Sequence, residues 1–329
     1  MKKKMIALCD SDRHYLERLQ ENLEQKDSFP FAVDTYTSAD ALEKNIADHE
    51  YELILAAGEA FERLKRKGTD SLVLLKEKGV SDADVCSIRK FQSADGIRKD
   101  ILELCAEGDG SDVVFDNDGL KTKLIGVYSP VGRDIQTSFS LLTGQYLAKK
   151  KRVLYLNLEP FSGLSEMLDN RVDRDITDLI YYLVSGKEKL RYKLESMVNN
   201  IGGLDYVSPA FSFLDLGQVS AENWLLLINT LRECGNYDYL IIDLSEIIQG
   251  LFDILKECDV VYTIAQKEGI GPAKLDQYEK LLKTEDLDSV IERTSRCELP
   301  LFNDLPSGFD ELPYSKLASY VKQIVNEDL

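Results

Sequence analysis

The sequence predicts an α/β protein built from two doubly wound parallel-sheet domains. Three observations carry that reading. The 329-residue length suits two domains of ordinary size, each able to bury its own core. Short aliphatic runs alternate with segments of helical spacing through both halves. Between the halves lies a Gly-, Asp- and Asn-rich stretch, residues 109–121 (DGSDVVFDNDGLK), whose composition is that of a linker. The domains expected are therefore 1–108 and 122–329.

In the first half, KMIALC (residues 4–9) is a short apolar strand that ends at acids. Tyr15, Leu16, Leu19 and Leu23 then fall at helical spacing. A second strand follows at 31–36, and Ser38 is a suitable N-cap for a helix over 39–49. Residues 51–56 are almost continuously apolar, as a buried parallel strand requires. Segments 71–75 and 85–88 complete five strands. In the second half the spacing predicts strands at 124–128, 153–158, 204–207, 239–244 and 260–265. It predicts helices at 137–149, 175–184, 187–200, 221–234, 273–284 and 314–326.

Composition narrows the functions. A formal net charge of −18 opposes phosphate backbones and anionic lipid, which argues against nucleic-acid binding. The basic run Lys149–Arg152 falls at a helix end, where cations complement the dipole. Hydrophobic content is 44%, with no apolar run near the roughly 20 residues needed to span a bilayer. The basic start, Met1 to Lys4, leads into too short an apolar stretch for a signal peptide, so a cytoplasmic protein is expected. Six cysteines without a CxxC pair, and only two histidines, predict reduced thiols and no metal centre. The apolar stripe Leu317, Tyr320, Val321, Ile324, Val325 ends in acids, which predicts packing on the domain rather than membrane insertion. Trp224 with Leu225, Leu227, Ile228 and Leu231 reads as core.

The order of elements in the first half resembles a CheY-like receiver domain. That resemblance implies acids after the first strand, here Asp10 and Asp12, and a lysine after the fifth, here Lys90. It also implies a phosphoacceptor Asp closing the third strand. This sequence reads Leu53-Ile54-Leu55-Ala56-Ala57 there, and the nearest acid is Glu59. Alanine cannot be phosphorylated, so the domain is expected to be a pseudo-receiver used for docking or dimerisation.

The second half places Tyr128-Ser129-Pro130-Val131-Gly132-Arg133-Asp134-Ile135-Gln136-Thr137-Ser138 between a strand and a helix. Phosphate loops work through glycines that turn backbone N–H groups inward, a helix N-terminus, a lysine and a hydroxyl that holds Mg²⁺. The segment resembles the deviant Walker A loop of MinD/ParA-type ATPases, KGGxGKT[ST]. Gly132, Thr137 and Ser138 are retained. Val131 replaces the signature lysine, Arg133 and Ile135 replace glycines, and Gln136 replaces the phosphate-binding lysine. Ile135 is β-branched and disfavours the backbone angles a glycine permits. Asp134 adds a negative group costing on the order of 1–4 kcal/mol at about 4 Å from a phosphate. RVLYLNLEP (residues 152–160) resembles the second strand of that class, with Asn157 and Glu159 at its two acidic positions. YDYLIID (237–243) resembles its Walker B strand, ending at Asp243. This half is therefore expected to take a SIMIBI-class (MinD/ParA-like) P-loop fold without hydrolysis.

A receiver-like half followed by this ATPase-like half resembles the CpaE/TadZ family of Tad-type pilus assembly proteins. The resemblance implies a homodimeric scaffold or localisation factor with protein partners in a pilus or secretion assembly, at the inner membrane face or a cell pole. No cofactor is expected. The alternatives are a weak Mg-ATP-dependent switch, binding ATP or ADP with Mg²⁺, and a signalling adaptor that docks through its pseudo-receiver.

Overall fold

The computed structural model describes residues 3–25, 29–77, 85–108, 122–131, 134–168, 174–186, 189–233, 237–300, 302, 305–306 and 308–328. The side chains of residues 134 and 266 are outside that description, as is the expected linker at 109–121. The chain separates into two compact units. One comprises Met1–Asp112 with Arg191–Ser196, the other Val113–Leu190 with Met197–Leu329.

In the first unit, strands β1 (Lys4–Cys9), β2 (Phe31–Tyr36), β3 (Leu53–Ala57), β4 (Leu72–Lys76) and β5 (Ser87–Arg89) form one parallel sheet. Its order is 2-1-3-4-5, a doubly wound arrangement with the switch point between β1 and β3. Helices α1 (Arg13–Glu24), α2 (Ala39–Ile46), α3 (Gly58–Arg66) and α4 (Ala94–Glu107) connect the strands. Local chemistry starts them. Asp12, Ser38 and Ser93 each accept a backbone N–H in the first turn of α1, α2 and α4. Before α3, Gly58 adopts φ +50, a left-handed value that a side chain disfavours.

In the second unit, β6 (Lys123–Tyr128) leads through the loop into α5 (Asp134–Ala148), and β7 (Val153–Asn157) follows. Helices α6 (Leu164–Met167) and α7 (Ile176–Val184) follow, then α8 (Leu190–Met197), whose residues Arg191–Ser196 belong to the first unit, and then the hairpin of β8 (Val198–Ile201) and β9 (Leu204–Val207). Then come α9 (Phe213–Gln218), α10 (Ala221–Glu233), β10 (Tyr239–Asp243), α11 (Leu251–Glu257) and β11 (Val260–Gln266). The unit closes with α12 (Gly271–Thr284), α13 (Asp288–Glu292), β12 (Thr294–Leu299) and α14 (Lys316–Asp328). The seven strands lie in the order 12-11-6-10-7-9-8, all parallel except β8.

Two expectations are corrected. The helix read over 187–200 stops at Met197, and residues 198–201 turn into an antiparallel edge strand. Val198 and Ile201 are β-branched, and Gly202 and Gly203, at φ +58 and +90, close a two-residue hairpin. The helix after the phosphate loop begins at Asp134 rather than 137, because no glycine interrupts 134–136. Edge strand β12 carries Thr294, Ser295, Arg296 and Glu298 and has too few apolar residues to announce itself.

The stripe on α14 packs as expected. Leu317, Val321 and Val325 are buried in the core that also takes Phe139 and Leu142 of α5. Among the described residues no helix is long and apolar enough to cross a membrane. Trp224, Leu227, Ile228 and Leu231 are buried, and none of the five described cysteines is in a disulfide; all but Cys86 are buried. At the start of α7, Asp175 bonds to the Thr177 backbone at 2.8 Å and to the Phe211 N–H at 3.1 Å, within a capping box with Asp178. Asp175→Ala is expected to cost about 1 kcal/mol in urea unfolding.

Candidate functional site

Parallel strands deliver their functional groups at the C-terminal edge of a sheet. In the second unit β10 lies between β6 and β7, with Asp243 in register with Val127 on one side and Asn157 on the other. The first turn of α5 sits over this edge, because the loop from β6 leads directly into it. Gln136, Asp243, Asn157 and Glu159 are thereby gathered into one buried cluster, each no more than 3% exposed.

Gln136 is fully buried, and its amide points into the acids. The Nε2 atom lies 2.5 Å from Asp243 Oδ1, 2.8 Å from Leu244 O, 3.1 Å from Glu159 Oε1 and 3.4 Å from Val127 O. Four oxygens, two of them carboxylate, surround one nitrogen that carries only two hydrogens. The geometry is a cage for a cation, filled by a neutral amide. Gln136 Oε1 meets no hydrogen-bond partner there.

Asp243 Oδ2 accepts from the Tyr155 hydroxyl at 2.9 Å and from Asn157 Nδ2 at 3.3 Å. Asn157 Nδ2 also donates to the Tyr155 hydroxyl at 2.8 Å, while its Oδ1 accepts the Glu159 backbone N–H at 3.0 Å. Asn157 is thus a structural bridge rather than an acid facing solvent. Burial pushes the Asp243 carboxyl up to about 6, although hydrogen bonds from Gln136, Tyr155 and Thr137 pull the other way. Burial sets the direction, and a full positive charge at the cage would oppose it. The Tyr155 hydroxyl is raised well above its ordinary value, first by burial and then by Asp243.

Beside the cluster opens a cavity of about 380 Å³. Thr137, Ser138 and Glu159 give its polar wall, and Leu141, Leu164 and Phe309 are among its apolar lining. Gln136 is not part of that lining, so the residue at the phosphate-binding position faces inward. Ile135, at the third glycine position, packs against the apolar core. Gly132 and Arg133 lie outside the described residues. At this edge the Gln136 amide occupies the centre of the oxygen cluster, and the Thr137 hydroxyl hydrogen-bonds to Asp243.

Sequence reasoning missed Tyr155. Its signal was available, since Tyr155 and Asn157 are two apart on one strand and must share a face, and a tyrosine is foreign to an aliphatic buried strand.

In the first unit, Asp10 and Lys90 meet at the C-terminal edge of the sheet. Lys90 Nζ is 2.6 Å from Asp10 Oδ2 and 3.1 Å from Glu77 Oε1, with both Asp10 and Lys90 buried. Burial pulls the Lys90 ammonium down, but its bonds to Asp10 and Glu77 prevail and leave it raised. Asp12 is not brought into this pocket. Its carboxylate caps α1 through the Tyr15 N–H at 3.1 Å, while its own N–H donates to Asp10 Oδ1 at 2.8 Å. The adjoining cavity, about 410 Å³, is lined at the end of β3 by Ala57, Gly58 and Glu59, and by Arg63 of α3.

No protein-family model matches the sequence, and no curated protein matches it. Among solved structures, the chain is similar to a ParA family ATPase from Chlorobium tepidum TLS at 19% identity and a TM-score of 0.49. That match covers 62% of this chain and 99% of the other. It is similar to the MinD cell division protein of Aquifex aeolicus at 17% identity and a TM-score of 0.47, over 63% and 96% of the two chains. A further match is a plasmid partition protein from Borrelia burgdorferi B31 bound to AMPPNP, at 16% identity, a TM-score of 0.46, and 64% and 100% coverage. The second unit is by itself a seven-stranded, mostly parallel α/β sheet with a helix after β6 and an acid closing β10.

Proposed function

We propose that this chain is a non-hydrolysing scaffold built on a MinD/ParA-like P-loop framework. It resembles the CpaE/TadZ localisation factors of Tad-type pilus assembly and works through protein partners, as a homodimer. One observation carries the reading: Gln136 fills the cation position and bonds to Asp243 and Glu159 instead of facing the cavity. Hydrolysis needs an attacking water positioned on a phosphoryl group and positive charge to offset what develops there. A neutral amide supplies neither.

The first unit serves the same reading as a pseudo-receiver. Its lysine is already neutralised by Asp10 and Glu77, and Ala56 and Ala57 close β3 without an acceptor carboxylate. In this role it docks or dimerises without phosphorylation.

A second reading, a weak Mg-ATP-dependent switch, is favoured by the hydroxyls of Thr137 and Ser138 and by Glu159 at the wall of the cavity. Steady-state phosphate release separates the two. The scaffold reading expects release with Mg-ATP at background level, equal in the wild type and in Thr137→Ala. Release that Thr137→Ala abolishes would establish the switch.

A further inference from the structure

Large apolar side chains cluster at the surface of the second unit, on the loops that follow β7 and β9. Phe161 is 83% exposed, Phe211 92% and Leu214 61%, with Met167 and Phe213 also exposed. They form one patch: the Phe161 and Phe213 rings lie 5.6 Å apart, and Phe161 and Met167 share the mouth of the cavity beside α5. Contiguous exposed apolar surface of this kind marks an interaction site. The patch is also held in place. Asp175 ties the Phe211 backbone to the start of α7, and Ser212 caps α9 through the Leu214 N–H at 3.2 Å. Preorganised aromatic side chains cost little entropy on binding.

Charge says what covers it. Residues 157–186 hold six acids and two bases, and residues 208–218 hold one acid and no base. Glu166 is exposed on α6 beside Met167 and Asp215 on α9 beside Leu214, while Asp178 is exposed in the first turn of α7, whose cap Asp175 holds the Phe211 N–H. A second copy docked face to face would oppose these carboxylates to one another, in a chain whose net charge is −18. Complementarity requires the opposite sign at the rim and apolar anchors at the centre.

We propose that the Phe161–Met167–Phe211–Phe213–Leu214 face binds a cationic amphipathic segment of a protein partner. Aliphatic side chains of the segment cover the aromatic patch while its lysines or arginines meet Glu166, Asp178 and Asp215. The inference gives the scaffold reading a partner class, and it is tested without nucleotide, so its failure is distinct from that of the reading itself.

The probes are two helical peptides with the same leucine face, one with a lysine and one with a glutamate polar face, titrated by anisotropy against the full chain. The lysine peptide is expected to bind at least about tenfold tighter, and more weakly as salt rises. Phe161→Ser with Phe213→Ser is expected to weaken it about tenfold. Ile270→Ser and Tyr314→Ser, at exposed apolar residues elsewhere, are expected to leave it within about twofold. Carbodiimide coupling on the wild-type chain reads the site independently of folding. It joins peptide lysine amines to carboxylates as amides, with loss of water to the reagent, and is expected at Glu166, Asp178 or Asp215. Equal binding of the two peptides, equal losses in patch and control variants, or adducts elsewhere would overturn the proposal. A solution dimer dissociated by the Phe161/Phe213 variant would overturn it in favour of a second copy.

Discussion

Gln136→Ala is expected to destabilise the second unit by about 2–4 kcal/mol at pH 7.5, the largest effect of any single change at the site. The amide is fully buried and its Nε2 serves two carboxylates and two backbone carbonyls. A hydrogen bond to a charged group contributes roughly 1.5–3 kcal/mol, and withdrawing one partner from buried carboxylates adds their desolvation. The cost is expected to shrink at pH 5, where Asp243, raised to about 6 by burial, is mostly protonated. Gln136→Lys is expected to fold, because the four oxygens around Nε2 suit an ammonium with three hydrogens. It brings the Asp243 carboxyl down from about 6. Trp224, the chain's single tryptophan and fully buried, reports the unfolding of this unit in urea. A loss below about 0.5 kcal/mol for Gln136→Ala would mean that the amide does not hold the cluster together.

The second large effect is on pH dependence. A carboxyl raised in the folded state contributes stability that is complete below its unfolded value, near 4, and is lost as pH climbs through about 6. Ionising buried Asp243 therefore weakens the fold across that window by roughly 2–3 kcal/mol, at 1.36 kcal/mol for each pH unit. Asp243→Asn cannot ionise. Relative to the variant, the wild type is expected to lose that amount between pH 4 and pH 7.5, measured as the difference of two urea series. Parallel series would place Asp243 at an ordinary carboxylate value.

The sequence made the sheets legible because parallel strands buried on both faces are nearly pure aliphatic runs. KLIGVY, VLYLN and YLIID could be little else. Where strand character depends on pairing, the signal fails. Val198–Ile201 is polar at its centre and becomes a strand only because Gly202 and Gly203 fold it back onto β9. At the site, residue types placed Gln136, Thr137, Asn157, Glu159 and Asp243 in one region, since each closes or follows a strand of the same sheet. Their orientation was not legible. Whether an amide faces a cavity or turns onto an acid depends on what surrounds it, here Tyr155, Leu244 and Val127 from three separate strand ends. In the first unit the same limit applied to Asp12, whose side chain helix capping claims before any pocket can. The chain's acidity was legible as a bar to phosphate, but its gathering beside an aromatic patch was not, because Phe161 and Phe213 lie 52 positions apart in the chain.

The most direct measurement is a calorimetric titration of the full chain with Mg-ATP and with Mg-ADP, paired with its mass in solution under the same conditions. With the cation cage filled by Gln136 and no lysine at 131 or 136, neither nucleotide is expected to bind more tightly than about 10 µM, roughly 7 kcal/mol. The mass is expected to be the same with and without nucleotide. Binding of Mg-ATP tighter than that, with a mass that doubles on its addition, would contradict the account.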